Sequence, residues 1–297
     1  MLSLGRMLLR RDPPAALRPF VKVLWASDSG TPDPARPARE LVLPTGTAHV
    51  AFRLSEAPLR LCDDAAALQP RSVGHAVLGG PRASYYVRDV SQRARSVGAQ
   101  LHAGAVGLLA RLPAAELASR HTRLDELWGR EAEAALDDLR AAPTFEAALD
   151  RFEALLIRHL ACAAPIHPIV AHALGRFDRT DDVARVVEES GYSHRRFIDL
   201  FRDAVGLLPK QYCRVVRLQK AVTAATTSPQ LSLAELAALA GFGDQPHLCR
   251  DFRALAGVSP GAYRSLRPAR PNHVPLISAA PLDREKSRGL QNRPRLR

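Results

Sequence analysis

The stretch Gly241-Phe242-Gly243-Asp244-Gln245-Pro246-His247-Leu248-Cys249-Arg250-Asp251-Phe252-Arg253, followed by Gly257-Val258-Ser259-Pro260 and Tyr263-Arg264, decides how the chain is read. It has an echo upstream. Gly206, Leu207, Pro209 and Tyr212 recur 51 residues later as Gly257, Val258, Pro260 and Tyr263, and Phe197 and Phe201 recur as Leu248 and Phe252. Gly191-Tyr192 matches Gly241-Phe242 at an offset of 50, so one copy carries an extra residue in a turn. An offset that holds along helices and slips in a turn indicates a duplicated structural unit.

Each copy predicts a helix, a short Gly-containing turn and a second helix. In the first, Val183, Val186 and Val187 repeat at helical spacing, Ser190-Gly191 interrupts, and Ser193 is placed to cap a helix that buries Phe197, Leu200 and Phe201. In the second, Ser232 and Glu235 have capping-box spacing ahead of Leu233, Leu236 and Leu239. Gly241 closes that helix, and Asp244 caps one whose inner face is Leu248, Phe252 and Leu255.

These residues resemble the signature of AraC/XylS-type transcription regulators, over roughly residues 166 to 267. The resemblance implies a bacterial DNA-binding protein in which two helix-turn-helix units, joined by a long helix from Pro209 to Thr226, place recognition helices in successive major-groove segments. It also implies base or phosphate contacts on the recognition helices. The departures are Pro246 and His247, where the family often has small or polar residues, and Leu208, which replaces a usual Ser or Thr cap.

Helix geometry narrows the candidate contacts. With Leu248 and Phe252 inward, Pro246, Arg250 and Arg253 point outward beside Cys249, and Gln245 and His247 occupy the first turn. Arg250 can bond guanine O6 and N7 together and Gln245 can pair with an adenine edge; alternatively, Arg250 pairs with Asp251. His247 serves either the groove or the packing of the first turn.

In the first unit, Arg195, Asp199 and Arg202 point outward with Ile198 beside them, Ser193 caps, and His194 and Arg196 are left as backbone contacts. Asp199 repels phosphate, so it either accepts from cytosine N4 or, the favoured expectation, is held by Arg195 and Arg202. Lys210 and Gln211, with Arg214, are placed to meet phosphate at a helix N-terminus.

Charge agrees with a double-stranded DNA partner. From residue 166 onward there are 21 Lys and Arg against 12 Asp and Glu, whereas residues 1 to 165 hold 21 against 18. Basic side chains gain affinity by releasing counterions from phosphates whatever the base sequence. Arg outnumbers Lys 38 to 4 throughout, so part of the excess reflects a general preference for Arg.

At 297 residues and 46% apolar composition the chain holds about two domains. The expected fold class is α+β. Residues 1–125 form a β-rich regulatory domain, 126–165 a helical connector, 166–267 the double helix-turn-helix domain and 268–297 a disordered basic tail. The β reading rests on short segments at Glu40 to Leu43, Ala48 to Leu54, Ala83 to Val90 and Ser96 to Leu101, punctuated by Pro and Gly.

Leu17-Arg18-Pro19-Phe20-Val21 with Leu24-Trp25, and Leu41-Val42-Leu43-Pro44-Thr45-Gly46, resemble the start of the small β sensor-like region found ahead of some helix-turn-helix pairs of this family. That implies a small-molecule effector as a partner, with RNA polymerase and a second copy of the chain as further candidates. The connector helices are expected at Ala114 to Leu117, Leu124 to Trp128, Glu131 to Leu139 and Phe145 to Ala161. The stripe Leu149, Phe152, Leu155, Leu156 and Leu160 packs on its own domain or forms a dimer surface.

Cys62, Cys162, Cys213 and Cys249 show no paired spacing, which suits a reducing cytoplasm and gives no zinc site. Neither Met1 to Arg11 nor Leu101 to Leu112 reads as a signal peptide or membrane span, so the expected location is cytoplasmic. No Gly-rich phosphate loop, nucleophile elbow or Cys-pair cluster occurs, and His167 and His172 are poorly spaced for a metal; no enzyme activity and no cofactor are expected. The alternative is an N-terminal enzyme or DNA-repair module targeted to DNA by the C-terminal domain.

Overall fold

The structure is a computed structural model and describes residues 7–30, 37–62, 69–161, 163 and 165–276. Among the described residues the N-terminal part opens with nine strands: β1 (Met7–Arg11), β2 (Val21–Asp28), β3 (Arg39–Val42), β4 (His49–Arg53), β5 (Leu59–Cys62), β6 (Arg71–Gly74), β7 (Ala76–Gly79), β8 (Tyr86–Asp89) and β9 (Arg95–Leu101). Two short helices, α1 (Val106–Ala110) and α2 (Ala114–Leu117), precede β10 (His121–Arg123), and α3 (Leu124–Trp128), α4 (Arg130–Arg140) and α5 (Phe145–Leu160) follow. The strands form two antiparallel sheets. One has the order β1-β2-β9-β4-β7-β10, and the other, completed by a last strand β11 (His273–Pro275), has the order β11-β3-β8-β5-β6.

Alternation along the strands explains the layering. Val50 and Phe52 of β4, Leu24 and Ala26 of β2 and Val97 and Ala99 of β9 turn one way, into a core completed by Leu149, Phe152, Leu155, Leu156 and Leu160 of α5. The helices expected as a connector are therefore part of the N-terminal domain's core, and the apolar stripe of α5 packs on its own domain. Thr144 caps α5 by accepting from Ala147 N–H at 3.1 Å.

The C-terminal part contains α6 (Pro168–Phe177), α7 (Val183–Ser190), α8 (His194–Val205), α9 (Pro209–Thr227), α10 (Leu233–Ala240), α11 (Gln245–Ala256) and α12 (Pro260–Leu266). Phe177, Val186, Phe197 and Phe201 centre one core. Leu218 and Val222 of α9, with Leu236, Leu248, Phe252 and Tyr263, centre another. Leu41, Leu43, Cys62 and Val87 of the second sheet join that second core, so the change in charge balance from residue 166 is not a break in packing.

Two side chains depart from the expected inner faces. Leu239 is 64% exposed, because Leu236, Ala237 and Ala240 supply the buried face of α10, and Leu200 is only half-buried.

The tail expectation is corrected where the chain is described. Beyond Pro268 the backbone returns to the N-terminal domain, with His273, Val274 and Pro275 pairing antiparallel with Val42, Leu41 and Glu40. Val274 is fully buried there, and His273 Nδ1 lies 2.7 Å from Glu40 Oε1. One apolar side chain and a hydrogen-bonded His–Glu pair anchor a segment whose composition looked featureless. Residues 277–297, including the rest of the expected tail, lie outside the described residues.

Candidate nucleic-acid interface

Each unit is built by local capping. In the first, Asp182 accepts from Arg185 N–H at 3.0 Å to start α7, and Gly191 turns the chain at φ 69°. Ser193 accepts from Arg196 N–H at 3.4 Å to start α8. In the second, the Ser232 hydroxyl accepts from Glu235 N–H at 3.2 Å and the Glu235 carboxylate accepts from Ser232 N–H at 2.7 Å. The Ser232 N–H holds that carboxyl below its ordinary range. Asp244 then accepts from His247 N–H at 2.6 Å to start α11. A lost cap of this kind costs about 1 kcal/mol.

The second helix of each unit turns one face inward and leaves its N-terminal half outward. On α8, Phe197 and Phe201 are buried, while His194, Arg195, Arg196 and Arg202 are exposed and Ile198 and Asp199 are half-buried. On α11, Leu248 and Phe252 are buried, Gln245, Arg250 and Arg253 are exposed, and His247 and Cys249 are half-buried. Lys210 is exposed in the first turn of α9. Among the described residues Arg195, Arg196, Arg250 and Arg253 make no ion pair, which leaves their guanidinium groups available.

The side-chain partners overturn the expected pairing of Asp199 and show what His247, Arg214 and Gln211 touch. Asp199 makes no ion pair with Arg195 or Arg202 among the described residues; Arg202 instead lies 3.9 Å from Asp203. His247 folds back, with its ring edge-on to Phe242 at 5.2 Å and its Nδ1 accepting from Gly243 N–H at 3.4 Å, so it packs the turn. Arg214 turns to Asp251, donating to it from Nε and Nη2 at 3.2 and 2.9 Å, and Gln211 accepts from Leu208 N–H at 3.1 Å, the reciprocal half of a capping box whose Ser or Thr half is missing.

Sequence reasoning missed the brace that this last contact belongs to. Arg217 lies on α9 three residues after Arg214, approaches Asp251 at 3.6 Å and also bonds Asp181 just before α7. The run Asp181–Arg217–Asp251–Arg214 thus ties the first unit, the linking helix and the second recognition helix together. Two Arg at helical i, i+3 spacing facing a lone Asp would have been the signal.

The far ends of both α8 and α11 are seated on the N-terminal domain. Gly206 closes α8 at φ 83°, and a Cβ there would lie 2.5 Å from the Pro81 ring and 2.8 Å from Ala114 O. Gly257 closes α11 at φ 75°, and a Cβ there would lie 2.8 Å from the Tyr85 ring. The repeated glycine therefore serves twice over, as a left-handed helix terminator and as the seat of another backbone segment. Tyr85 N–H also donates to Leu255 O at 2.8 Å. The linking helix is seated as well: Gln219 donates to Pro44 O at 2.7 Å, inside the Leu41–Gly46 motif.

Among the described residues no group of His, Cys, Asp and Glu is arranged to hold a metal, and no helix is long and apolar enough to cross a membrane. His172 instead faces Glu189 at 3.4 Å. Cys213 is buried and Cys249 is half-buried, both as free thiols, and Cys62 is buried.

Comparison with known proteins places these features in a family. A helix-turn-helix domain model matches residues 186–265, and a domain family of unknown function, DUF6597, matches residues 9–123. No curated protein matches the chain.

Among solved structures, the DNA-binding domain of AdpA, a global transcriptional factor in complex with a target DNA, is 32% identical over 35% of this chain and 92% of that one, with a TM-score of 0.31. The C-terminal domain of AraT, a response regulator from Geobacillus stearothermophilus, is 22% identical over 36% of this chain and 92% of its own, with a TM-score of 0.34. ToxT from Vibrio cholerae O395 is 10% identical over 91% of this chain and 100% of its own, with a TM-score of 0.44. On the helix-turn-helix match and the identity to the AdpA domain, the chain belongs to the AraC/XylS-type helix-turn-helix transcription regulators.

Proposed function

We propose that the protein recognises a specific double-stranded DNA site by placing α8 and α11 in successive major-groove segments, and that its N-terminal domain modulates this binding. One observation carries the reading. Both helices begin at a side-chain cap and present unpaired Arg from their exposed N-terminal halves, whereas their C-terminal ends are docked on the N-terminal domain.

The chemistry assigns roles to the exposed groups. Arg250 donates in a fork to guanine O6 and N7, and Gln245 pairs with an adenine edge. Asp199, without an intrahelical partner, accepts from cytosine N4. Ser193, His194, Arg195, Arg196, Arg202, Arg253 and Lys210 meet the phosphate backbone and set the register, and Ile198 and Cys249 lie against base edges. His247 holds the turn that aims α11.

AdpA's domain was solved on its target DNA, which supports the same use of the matched region in this chain. Sequencing the genomic fragments retained by the purified full-length protein tests the proposal. Recovery of one motif with two parts about one helical turn apart is expected. Retention of unrelated fragments in proportion to their length would contradict it.

A further inference from the structure

The two helical units have separate apolar cores, and α9 serves both. Tyr212 and Cys213 enter the first core, while Leu218, Ala221 and Val222 enter the second. Among the described residues the two sets of buried apolar side chains form distinct clusters, so packing within each unit does not by itself fix the angle between α8 and α11. Polar contacts cross the gap.

Those contacts converge on Asp251. Arg214 donates to it from Nη2 to Oδ1 at 2.9 Å and from Nε to Oδ2 at 3.2 Å, a forked contact that fixes direction as well as distance. Arg217 Nη2 lies 3.6 Å from Oδ2, and His247 Nε2, one turn earlier on α11, lies 3.7 Å from the same oxygen. The side chains of Asp251 and Arg217 are 13% and 14% exposed. Solvent and salt therefore screen this cluster less than an ordinary surface pair.

Arg217 carries the run to the first unit. It donates to Asp181, the neighbour of the Asp182 cap that starts α7, and its guanidinium carbon lies 5.3 Å over the ring of Phe242 in the turn that launches α11. One turn further along α9, Lys220 donates to Asp178 O at 2.7 Å, at the end of α6. One helix face thus grips the start of the first unit's α7 and the flank of the second unit's α11.

The duplication shows that a unit of this fold does not require such a carboxylate. The residue of α8 equivalent to Asp251 is Leu200, which packs against its own unit's core. What Asp251 adds is a link that passes through Arg217 from one unit to the other. Its neighbour Arg250 is exposed and Phe252 is fully buried, so Asp251 stands on the flank of α11 that meets α9.

We propose that Asp251, gripped by Arg214 and Arg217, is a specificity-determining positioning residue: it fixes the angle of α11 against α8 and so makes the protein select the number of base pairs between the two DNA segments it reads. The proposal rests on the two-helix reading given above. Each base pair added between the segments moves one of them by about 3.4 Å along the duplex axis and about 34° around it. A rigid pair of helices fits one such arrangement, and any other requires bending or twisting of the DNA. A pair free to swing fits several.

The test measures the affinity of full-length native protein, Asp251→Asn and Arg214→Gln for synthetic duplexes carrying the two-part motif recovered from genomic fragments. The duplexes have the recovered spacing, or one base pair inserted or removed between the parts. Asn keeps the shape of Asp but sets an amide donor against guanidinium donors. Gln at position 214, where the side chain is 40% exposed, removes the fork without emptying a core.

The native protein should lose affinity at least tenfold at either altered spacing. In both variants that ratio should shrink several-fold, with base preference inside each part the same as in the native protein. An unchanged ratio, whether affinity is kept or lost equally at all three spacings, overturns the proposal in favour of a purely structural pair. So does a native protein that tolerates all three spacings, and so does an altered base preference, which would make these residues direct DNA contacts. If thermal unfolding shows that Asp251→Asn does not fold, Arg214→Gln decides by the same criterion, because it leaves Asp251 to Arg217 and His247. Scrambling one part of the motif tests the underlying reading separately. Native protein indifferent to that change removes the two-helix reading and this proposal with it, whereas an unchanged spacing ratio in the variants removes this proposal alone.

Discussion

The two duplicated helical units share a scaffold and differ at most positions on the outward face of their second helices. Phe197 and Phe201 correspond to Leu248 and Phe252, the caps Ser193 and Asp244 correspond, and both recognition helices end at a left-handed glycine. On the outer face only Arg202 and Arg253 keep the same type among the candidate contacts. Where α8 carries Asp199, α11 carries Arg250, and where α8 carries Leu200, α11 carries the braced Asp251. A carboxylate can take only base donors and a guanidinium only base acceptors, so on the proposed reading the two units have complementary preferences.

The brace makes the second difference consequential. Asp251 is gripped by Arg214 and Arg217, which fixes how α11 projects from the linking helix, whereas Leu200 is held only by apolar contact with its own unit's core. Orientation of α11 therefore rests on this brace as well as on its buried face and its seat against Tyr85, and that of α8 on packing and on its seat against Pro81 and Ala114.

The largest expected effects test what the units share. Phe201→Ala and Phe252→Ala each empty a fully buried site and should destabilise the protein by about 3–5 kcal/mol, measured by denaturant unfolding. Markedly unequal costs would break the scaffold equivalence.

Next in size, Arg250→Ala should weaken binding to the selected site by about 1–3 kcal/mol while leaving thermal stability nearly unchanged, since the side chain is exposed and makes no ion pair among the described residues. Asp199→Asn should change total affinity less and relax the preference at one base pair, because an amide can donate as well as accept. Competition binding with that pair replaced reads the effect. Smallest, Arg196→Ala should lower affinity for cognate and random duplexes alike and reduce the salt slope by about 1, as the loss of a single phosphate contact does.

The duplicated unit was legible because its signals are local. Cap residues, turn glycines and apolar spacing lie within a few residues of what they determine, and the linking helix, expected from Pro209 to Thr226, runs Pro209–Thr227. Several strands were legible for the same reason, among them β4 and β9.

What escaped depends on partners distant in sequence. The return of Val274 to Leu41, the seating of Gly257 by Tyr85 and the capture of Arg214 by Asp251 each join segments whose own composition is unremarkable. The exposed Arg of the recognition helices followed from the helical period. Whether Asp199 would be paired did not, because rotamers and neighbouring charges decide it.

Binding of the native protein, Arg250→Ala and Asp199→Asn to a library of all single-base variants of the selected site tests most directly whether two helices read two segments. The account predicts that each substitution flattens preference at its own position, a guanine for Arg250 and a cytosine for Asp199, with the two positions about one helical turn apart and every other position unchanged. Uniform loss across all variants in Arg250→Ala, or both substitutions acting at the same base pair, would contradict it.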